Sequence, residues 1–113
     1  MSHPAGPSRS NRRLTARTAC HLVVRYRSGK EWHPATALDL SNLGCRLRLG
    51  QDLPRGALLT VRLESAAFRG QPALEVEVPS SVIWCRLEGL SYQAGLNFAE
   101  VPPALQQILG ALG

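Results

Sequence analysis

Two short segments of the chain contain residue types that could bind a phosphorylated ligand with a purine base. Arg13 and Arg17 lie four residues apart, and Asp39 and Ser41 begin the segment Asp-Leu-Ser-Asn-Leu-Gly that ends at Gly44. An arginine guanidinium is a planar fork that can bind a phosphate, or the O6/N7 edge of guanine, through two hydrogen bonds. A carboxylate and a hydroxyl can accept hydrogen bonds from the N–H groups on the other guanine edge.

Each segment also has a purely structural explanation. The four-residue arginine spacing also occurs between Arg9 and Arg13, and a solvated basic tail would show the same pattern. Asp39 and Ser41 could serve only to form a turn, because Asp and Ser side chains bond the nearby backbone. Gly44 could offer a backbone that a planar base can approach, or it could supply a positive φ. The residues alone leave both explanations open.

The distribution of charge favours a phosphate or a polyanion as the ligand of the N-terminal part. The 113 residues carry a net charge of +5, and the first acidic residue is Glu31, so an acid-free basic segment comes first. Its cations are Arg9, Arg12, Arg13, Arg17, Arg25, Arg27 and Lys30. No apolar run approaches the roughly 18 residues of a membrane span. The start of the chain also lacks the apolar stretch of a signal peptide, so we expect a cytoplasmic protein without membrane insertion.

The sequence gives little support for catalysis or metal binding. Cys20, Cys45 and Cys85 are odd in number and widely separated, without a C-x-x-C pair, which argues against a zinc or redox site. We expect all three to be small buried side chains. His21 and His33 have no nucleophile at a recognisable spacing, and no phosphate-loop glycine pattern occurs. We therefore expect neither an enzyme nor a bound cofactor or metal.

From Cys20 onwards, apolar and polar residues alternate with the period of two that is typical of strands. Pro34 predicts an edge position or a late start for the second strand, and a bend or bulge is expected after Pro79. Trp84 is expected in the core. The alternating segments are 20–27, 32–40, 45–49, 59–63, 74–86 and 92–98. Many short strands at regular spacing predict a sandwich or a barrel.

The last dozen residues change to a helical pattern. Pro102 and Pro103 can open a helix because the first helical turn does not need their missing N–H groups. An apolar stripe follows at i, i+3, i+4 and i+7, formed by Leu105, Ile108, Leu109 and Leu112. We therefore predict an all-β, mainly antiparallel fold with a C-terminal helix. Residues 1–11 are predicted to be a disordered, flexible arm, and residues 12–113 a single domain.

The order of these features resembles the PilZ domain family. Its signature is R-x-x-x-R directly before the first strand, then [D/N]-x-S-x-x-G between the second and third strands. The late strands, with Trp84, Gly95 and Phe98, are also similar, and the resemblance runs from Arg12 to the C-terminus. It implies a six-stranded barrel that binds the second messenger cyclic di-GMP. The binding residues that it implies are Arg12, Arg13, Arg17, Asp39, Ser41 and Gly44.

The resemblance also implies the number of ligands and the mode of signalling. Arg12 directly precedes the first motif arginine, and in PilZ domains an arginine there is associated with two stacked cyclic di-GMP molecules. The arm would fold against the barrel on binding, and an unidentified protein effector would sense the change in trans. One alternative is a PilZ-like interaction module that binds no nucleotide. A small nucleic-acid-binding barrel is another, but six aromatic residues leave few for a stacking surface.

Overall fold

The computed structural model describes residues 18–65, 70 and 72–112, and in these ranges six antiparallel strands close into a barrel that one helix follows. The strands run around the barrel in the order β1-β2-β3-β6-β5-β4. The elements are β1 (Thr18–Ser28), β2 (Glu31–Leu40), β3 (Gly44–Leu49), β4 (Leu58–Ser65), β5 (Leu74–Glu88), β6 (Ser91–Phe98) and α1 (Pro103–Leu112). The predicted fold class is confirmed. The predicted arm, residues 1–11, lies outside the described residues.

The alternating residues of all six strands form one hydrophobic core inside the barrel. Leu47, Val61 and Val78 are completely buried, and each such side chain contributes about 1.5–3 kcal/mol when it leaves water. The helix begins at Pro103, as its sequence predicts, and its apolar stripe adds Leu105 and Ile108 to the same core. Within the described ranges, no helix has the length and apolar character that crossing a bilayer requires.

Strand β2 differs from its prediction because Pro34 lies within a paired strand of a closed barrel. The strand already begins at Glu31, and Pro34 pairs with Arg25 of β1. On its other side, β2 pairs with β3 only from Thr36 onwards. The proline is tolerated because its missing N–H removes no bond to β3. The expected late start is therefore wrong, and the expected edge position holds only locally, where β2 has no partner on its β3 side.

Strand β5 is one continuous strand of 15 residues with a bulge near its middle. The ladder to β6 shifts between Val82 and Trp84, so a bulge exists, but it lies at Ile83 and not at residues 79–81, where pairing is regular. A bulge changes which face a side chain points to. Trp84 accordingly lies half-buried on the outer face, opposite Gly95, and the expectation that it belongs to the core is wrong.

Candidate functional site

An extra residue in β2 turns the Asp39 side chain to the outside of the barrel. Ala37 pairs with Leu47, both fully buried, but two residues later Asp39 pairs with Arg46 on the outer face. Between them β2 advances by two residues while β3 advances by one, so Leu38 is the extra residue of a bulge. Without it, alternation would place Asp39 on the same inner face as Ala37.

The Asp39 carboxylate lies at the barrel surface beside a guanidinium. Its Oδ2 is 3.0 Å from Nε of Arg46, and the Asp39 side chain is only 13% exposed. The distance is that of an ion pair, although the Nε–H does not point at the oxygen closely enough to count as a hydrogen bond. A largely shielded carboxylate interacts more strongly with a positive charge than one in open water. Asp39 is therefore suited to orient guanidinium or N–H donors at this position.

Ser41 closes the turn between β2 and β3. Its backbone N–H donates to the Gly44 carbonyl at 2.9 Å, and its hydroxyl accepts from the Leu43 N–H at 3.1 Å. The hydroxyl also lies 3.4 Å from the Gly44 carbonyl, and the residue is 3% exposed. This is the local side-chain-to-backbone bonding that Ser favours in turns. The structural explanation for Ser41 thus holds, and its predicted contact with a ligand stays a prediction.

Gly44 is required by a close approach between strands. A Cβ at this position would overlap the carbonyl group of Leu96 on β6. Its φ is not in the left-handed region, unlike those of Gly29, Gly56 and Gly89. The possibility of a positive φ at Gly44 is therefore wrong, and the glycine is needed because β3 begins tightly against β6.

The three predicted arginines, Arg12, Arg13 and Arg17, lie outside the described residues. The first described residue, Thr18, pairs with Leu40, and Ala19 pairs with Asp39 itself. The chain therefore enters the barrel directly beside the Asp-x-Ser-x-x-Gly segment.

A row of residues continues from Asp39 across the outer face of the barrel. Arg46 on β3 lies opposite Gly95 on β6, which lies opposite Trp84 on β5. The indole ring occupies the space that a Cβ on Gly95 would need, so it packs directly on the β6 backbone. The Arg86 guanidinium lies 4.8 Å from the centre of that ring. The row thus joins a carboxylate, a guanidinium and an aromatic ring on one surface.

A second row lies two residues further along the same strands. Arg48 on β3 and Arg86 on β5 both lie opposite Gln93 on β6. We call the two rows together the site wall, which comprises Arg46, Gly95, Trp84, Arg48, Gln93 and Arg86. Sequence reasoning missed its arginines, although the alternation of Arg46 and Arg48 with buried residues of β3 already indicated that they share the outer face.

Two amide oxygens near this surface are shielded from solvent and have no hydrogen-bond partner in the described structure. They are Oδ1 of Asn42, in the turn, and Oε1 of Gln93, on the site wall. A buried acceptor without a donor costs about 1–3 kcal/mol. Such groups are candidates for accepting hydrogen bonds from a ligand.

Other chemistry has little support in the described part of the chain. No group of three or more His, Cys, Asp and Glu side chains there could hold a metal ion. None of the three cysteines forms a disulfide. Cys45 is buried as expected, but Cys20 and Cys85 are only half-buried, so the expectation of burial is wrong for these two. Burial raises the pKa of the Cys20 and Cys85 thiols, which keeps them in the less nucleophilic form at neutral pH.

Comparison with known proteins identifies the family. A family model described as the PilZ domain matches residues 11–112. No curated protein matches the chain in sequence.

Solved structures share the fold at low sequence identity. The Bacillus subtilis inhibitor of motility, MotI/DgrA, is 19% identical with a TM-score of 0.72, covering 87% of this chain and 47% of that one. PlzA of Borreliella burgdorferi, solved in complex with c-di-GMP, is 10% identical with a TM-score of 0.58, covering 91% and 51%. A tetrameric PilZ domain protein of Xanthomonas campestris is 23% identical with a TM-score of 0.50, covering 74% and 44%. The chain spans about half the length of each.

Proposed function

Because the chain belongs to the PilZ domain family, we propose that it is a receptor for cyclic di-GMP which passes ligand occupancy to a protein partner. The ligand would bind where the segment before β1 meets the turn between β2 and β3. The proposed binding residues are Arg12, Arg13, Arg17, Asp39, Ser41 and Gly44. The family is a family of binding domains, and PlzA was solved with c-di-GMP.

The orientation of Asp39 is the observation that supports this proposal most. The Leu38 bulge turns the carboxylate outward, next to the Arg46 guanidinium, and Asp39 itself pairs with Ala19 near the start of β1. An anionic acceptor at this place can hold a guanine N–H edge or orient an arginine that binds phosphate.

The members of the turn would act in different ways. Ser41 holds the turn in shape through its bonds to Leu43 and Gly44, and Gly44 allows β3 to begin against Leu96. Both would fix the position of Asp39 relative to the barrel. The side-chain amide oxygen of Asn42, Oδ1, has no partner within the described ranges and would be an additional acceptor for the ligand.

Signalling would follow from ordering of the N-terminal segment. The segment before β1 carries Arg9, Arg12, Arg13 and Arg17, which would repel one another until two phosphates neutralise them. Folding this segment against the barrel would create a new surface that an effector protein can bind in trans. Two ligand molecules per chain are proposed because Arg12 precedes the first motif arginine.

Calorimetric titration with cyclic di-GMP tests the proposed function. We expect saturable binding by the unmodified protein and at least tenfold weaker binding by Asp39→Ala, which corresponds to about 1.4 kcal/mol. Glu77→Ala, which removes an exposed carboxylate opposite Arg62 of β4, away from the site wall, should bind like the unmodified protein. Absence of saturable binding at a ligand concentration of about 100 µM would contradict the proposal and favour an interaction module without nucleotide.

A further inference from the structure

The second row of the site wall contains three side chains to which the proposed function gives no role. Arg48 and Arg86 lie on either side of Gln93, one on each neighbouring strand. Neighbouring strands are about 4.8 Å apart, so the two arginine backbones lie about 10 Å apart across β6. Arginine side chains are long enough to hold one small group between them at that separation.

The positive charge of this row is only partly neutralised. Arg86 has an ion pair with Glu88, with 2.7 Å between Nε and Oε2. Among the residues that the structure describes, no carboxylate lies within 4.0 Å of the Arg48 guanidinium. β6 itself carries no charged residue, since its sequence is Ser-Tyr-Gln-Ala-Gly-Leu-Asn-Phe. An anion that binds here would therefore meet an attractive surface.

Gln93 restricts the chemistry of that anion. Its Oε1 is shielded from solvent without a hydrogen-bond partner, and a carbonyl oxygen can only accept. A phosphate group alone offers acceptors and would not satisfy it. A nucleotide offers both kinds of group, because its phosphate accepts from guanidiniums while its ribose hydroxyl or guanine N–H donates to the amide. Arg48 and Arg86 are exposed, so both side chains can change rotamer to contact such a ligand.

We infer that Arg48, Gln93 and Arg86 form the subsite for the second cyclic di-GMP molecule, an inference that rests on the proposed function. The two arginines bind one of its phosphates, and Gln93 accepts from the same nucleotide. Arg46 and Arg48 are two residues apart on one face of β3, about 7 Å. The subsite therefore lies one row along the barrel surface from the ion pair of Asp39 with Arg46. The first molecule is held at the turn, and the second lies along the wall.

The test is calorimetric stoichiometry with cyclic di-GMP for the full chain and matched variants. The wall variant combines Arg48→Ala with Arg86→Ala. Its control combines Arg25→Ala with Lys30→Ala, which removes the same two charges from exposed positions elsewhere on the barrel. Gln93→Leu removes the acceptor while keeping a side chain of similar size. Circular dichroism melts establish that each variant is folded.

We expect two molecules per chain for the unmodified protein and the control, and one for the wall variant, with first-molecule affinity within about threefold. Gln93→Leu should weaken the second binding step about tenfold. Two molecules bound with unchanged affinity by the folded wall variant would overturn the inference, as would one molecule bound by the unmodified protein. No binding by the unmodified protein would instead overturn the proposed function, and the subsite with it.

Discussion

The barrel carries a tryptophan with nearby arginines on two different walls, and the two clusters differ in how their charges are balanced. On the opposite wall, formed by the outer faces of β1 and β4 with Trp32, the guanidiniums of Arg27 and Arg62 lie 4.9 and 5.9 Å from the Trp32 ring centre. Arg62 also forms ion pairs with Glu64 and Glu75. On the site wall, Arg46 forms an ion pair with Asp39, and Arg86 forms one with Glu88. Arg48 has no carboxylate partner among the described residues, and β6, which separates it from Arg86, carries no charge.

The difference indicates that arginine content does not identify a binding surface by itself. Arginines whose donors are already used by carboxylates stabilise the sheet modestly, because exposed ion pairs contribute about 0–1 kcal/mol. Arg48 has no such partner among the described residues and keeps its donors for a ligand. The unmatched Gln93 oxygen lies in the same row. The site wall therefore keeps one unpaired guanidinium beside an unmatched acceptor, as a binding surface would, whereas two carboxylates balance the two guanidiniums of the opposite wall.

The largest expected effect is a loss of folding stability from a substitution at the edge of the site wall. Gly44→Val should destabilise the barrel by about 3 kcal/mol or more, because a Cβ there collides with the Leu96 carbonyl. Gly29→Ala, at the exposed turn between β1 and β2, meets no neighbouring atom and should cost only about 1 kcal/mol for its positive φ. Denaturant unfolding measures both, and equal losses would contradict the close-approach explanation.

The next largest effect concerns Arg17, the residue directly before β1 in the sequence. Arg17→Ala should weaken cyclic di-GMP binding about ten- to a hundredfold, because each charge-assisted hydrogen bond contributes about 1.5–3 kcal/mol. Arg27→Ala on the opposite wall is the matched control and should bind normally. Calorimetry compares the two, with circular dichroism to verify folding. If Arg27→Ala lost more affinity than Arg17→Ala, the assignment of the two walls would be reversed.

The two tryptophans allow an optical test of the same contrast. Because the chain contains only Trp32 and Trp84, Trp32→Phe leaves Trp84 as the sole indole and Trp84→Phe leaves Trp32. Cyclic di-GMP should change the fluorescence of the Trp32→Phe protein and leave that of Trp84→Phe nearly unchanged. Trp84→Ala should also weaken binding about tenfold, within the range for loss of an aromatic contact to a base. A response confined to Trp32 would contradict the account.

The smallest expected effects distinguish a residue that stabilises the turn, Ser41, from a residue that binds the ligand, Asp39. Ser41→Ala should lower stability by about 1 kcal/mol, because the hydroxyl bonds the Leu43 N–H inside the turn. Asp39→Ala should change stability less, since its partner Arg46 is 40% exposed, but it should reduce affinity more. Thermal melts with and without cyclic di-GMP measure both quantities. The reverse pattern would mean that Asp39 serves the turn and Ser41 the ligand.

The sequence predicted the architecture well because the architecture depends on alternation. The clear period of two in β3 and β6 and the apolar stripe of α1 each specify a buried face. The outward side of Asp39 could not be predicted in this way, because it depends on the Leu38 bulge. A bulge is a property of the pairing between strands, and the extra residue leaves no mark in the chain itself.

The dependence on pairing between strands also explains why the predictions for Trp84, Pro34 and Gly44 needed correction. Trp84 faces outward because of the bulge between Val82 and Trp84, and Pro34 is tolerated because β3 begins to pair only at Thr36. The need for glycine at position 44 comes from Leu96, a residue far away in the chain. Each depends on a neighbouring strand, and local propensity does not contain that information.

Amide chemical shifts during a titration with cyclic di-GMP test the central claim most directly. In the ¹⁵N-labelled unmodified protein, we expect the largest shifts at the Arg46, Gln93 and Gly95 amides of the site wall. Those of Arg27 and Arg62 on the opposite wall should stay close to their free positions. Shifts concentrated on the opposite wall, or none at saturating ligand, would contradict the account.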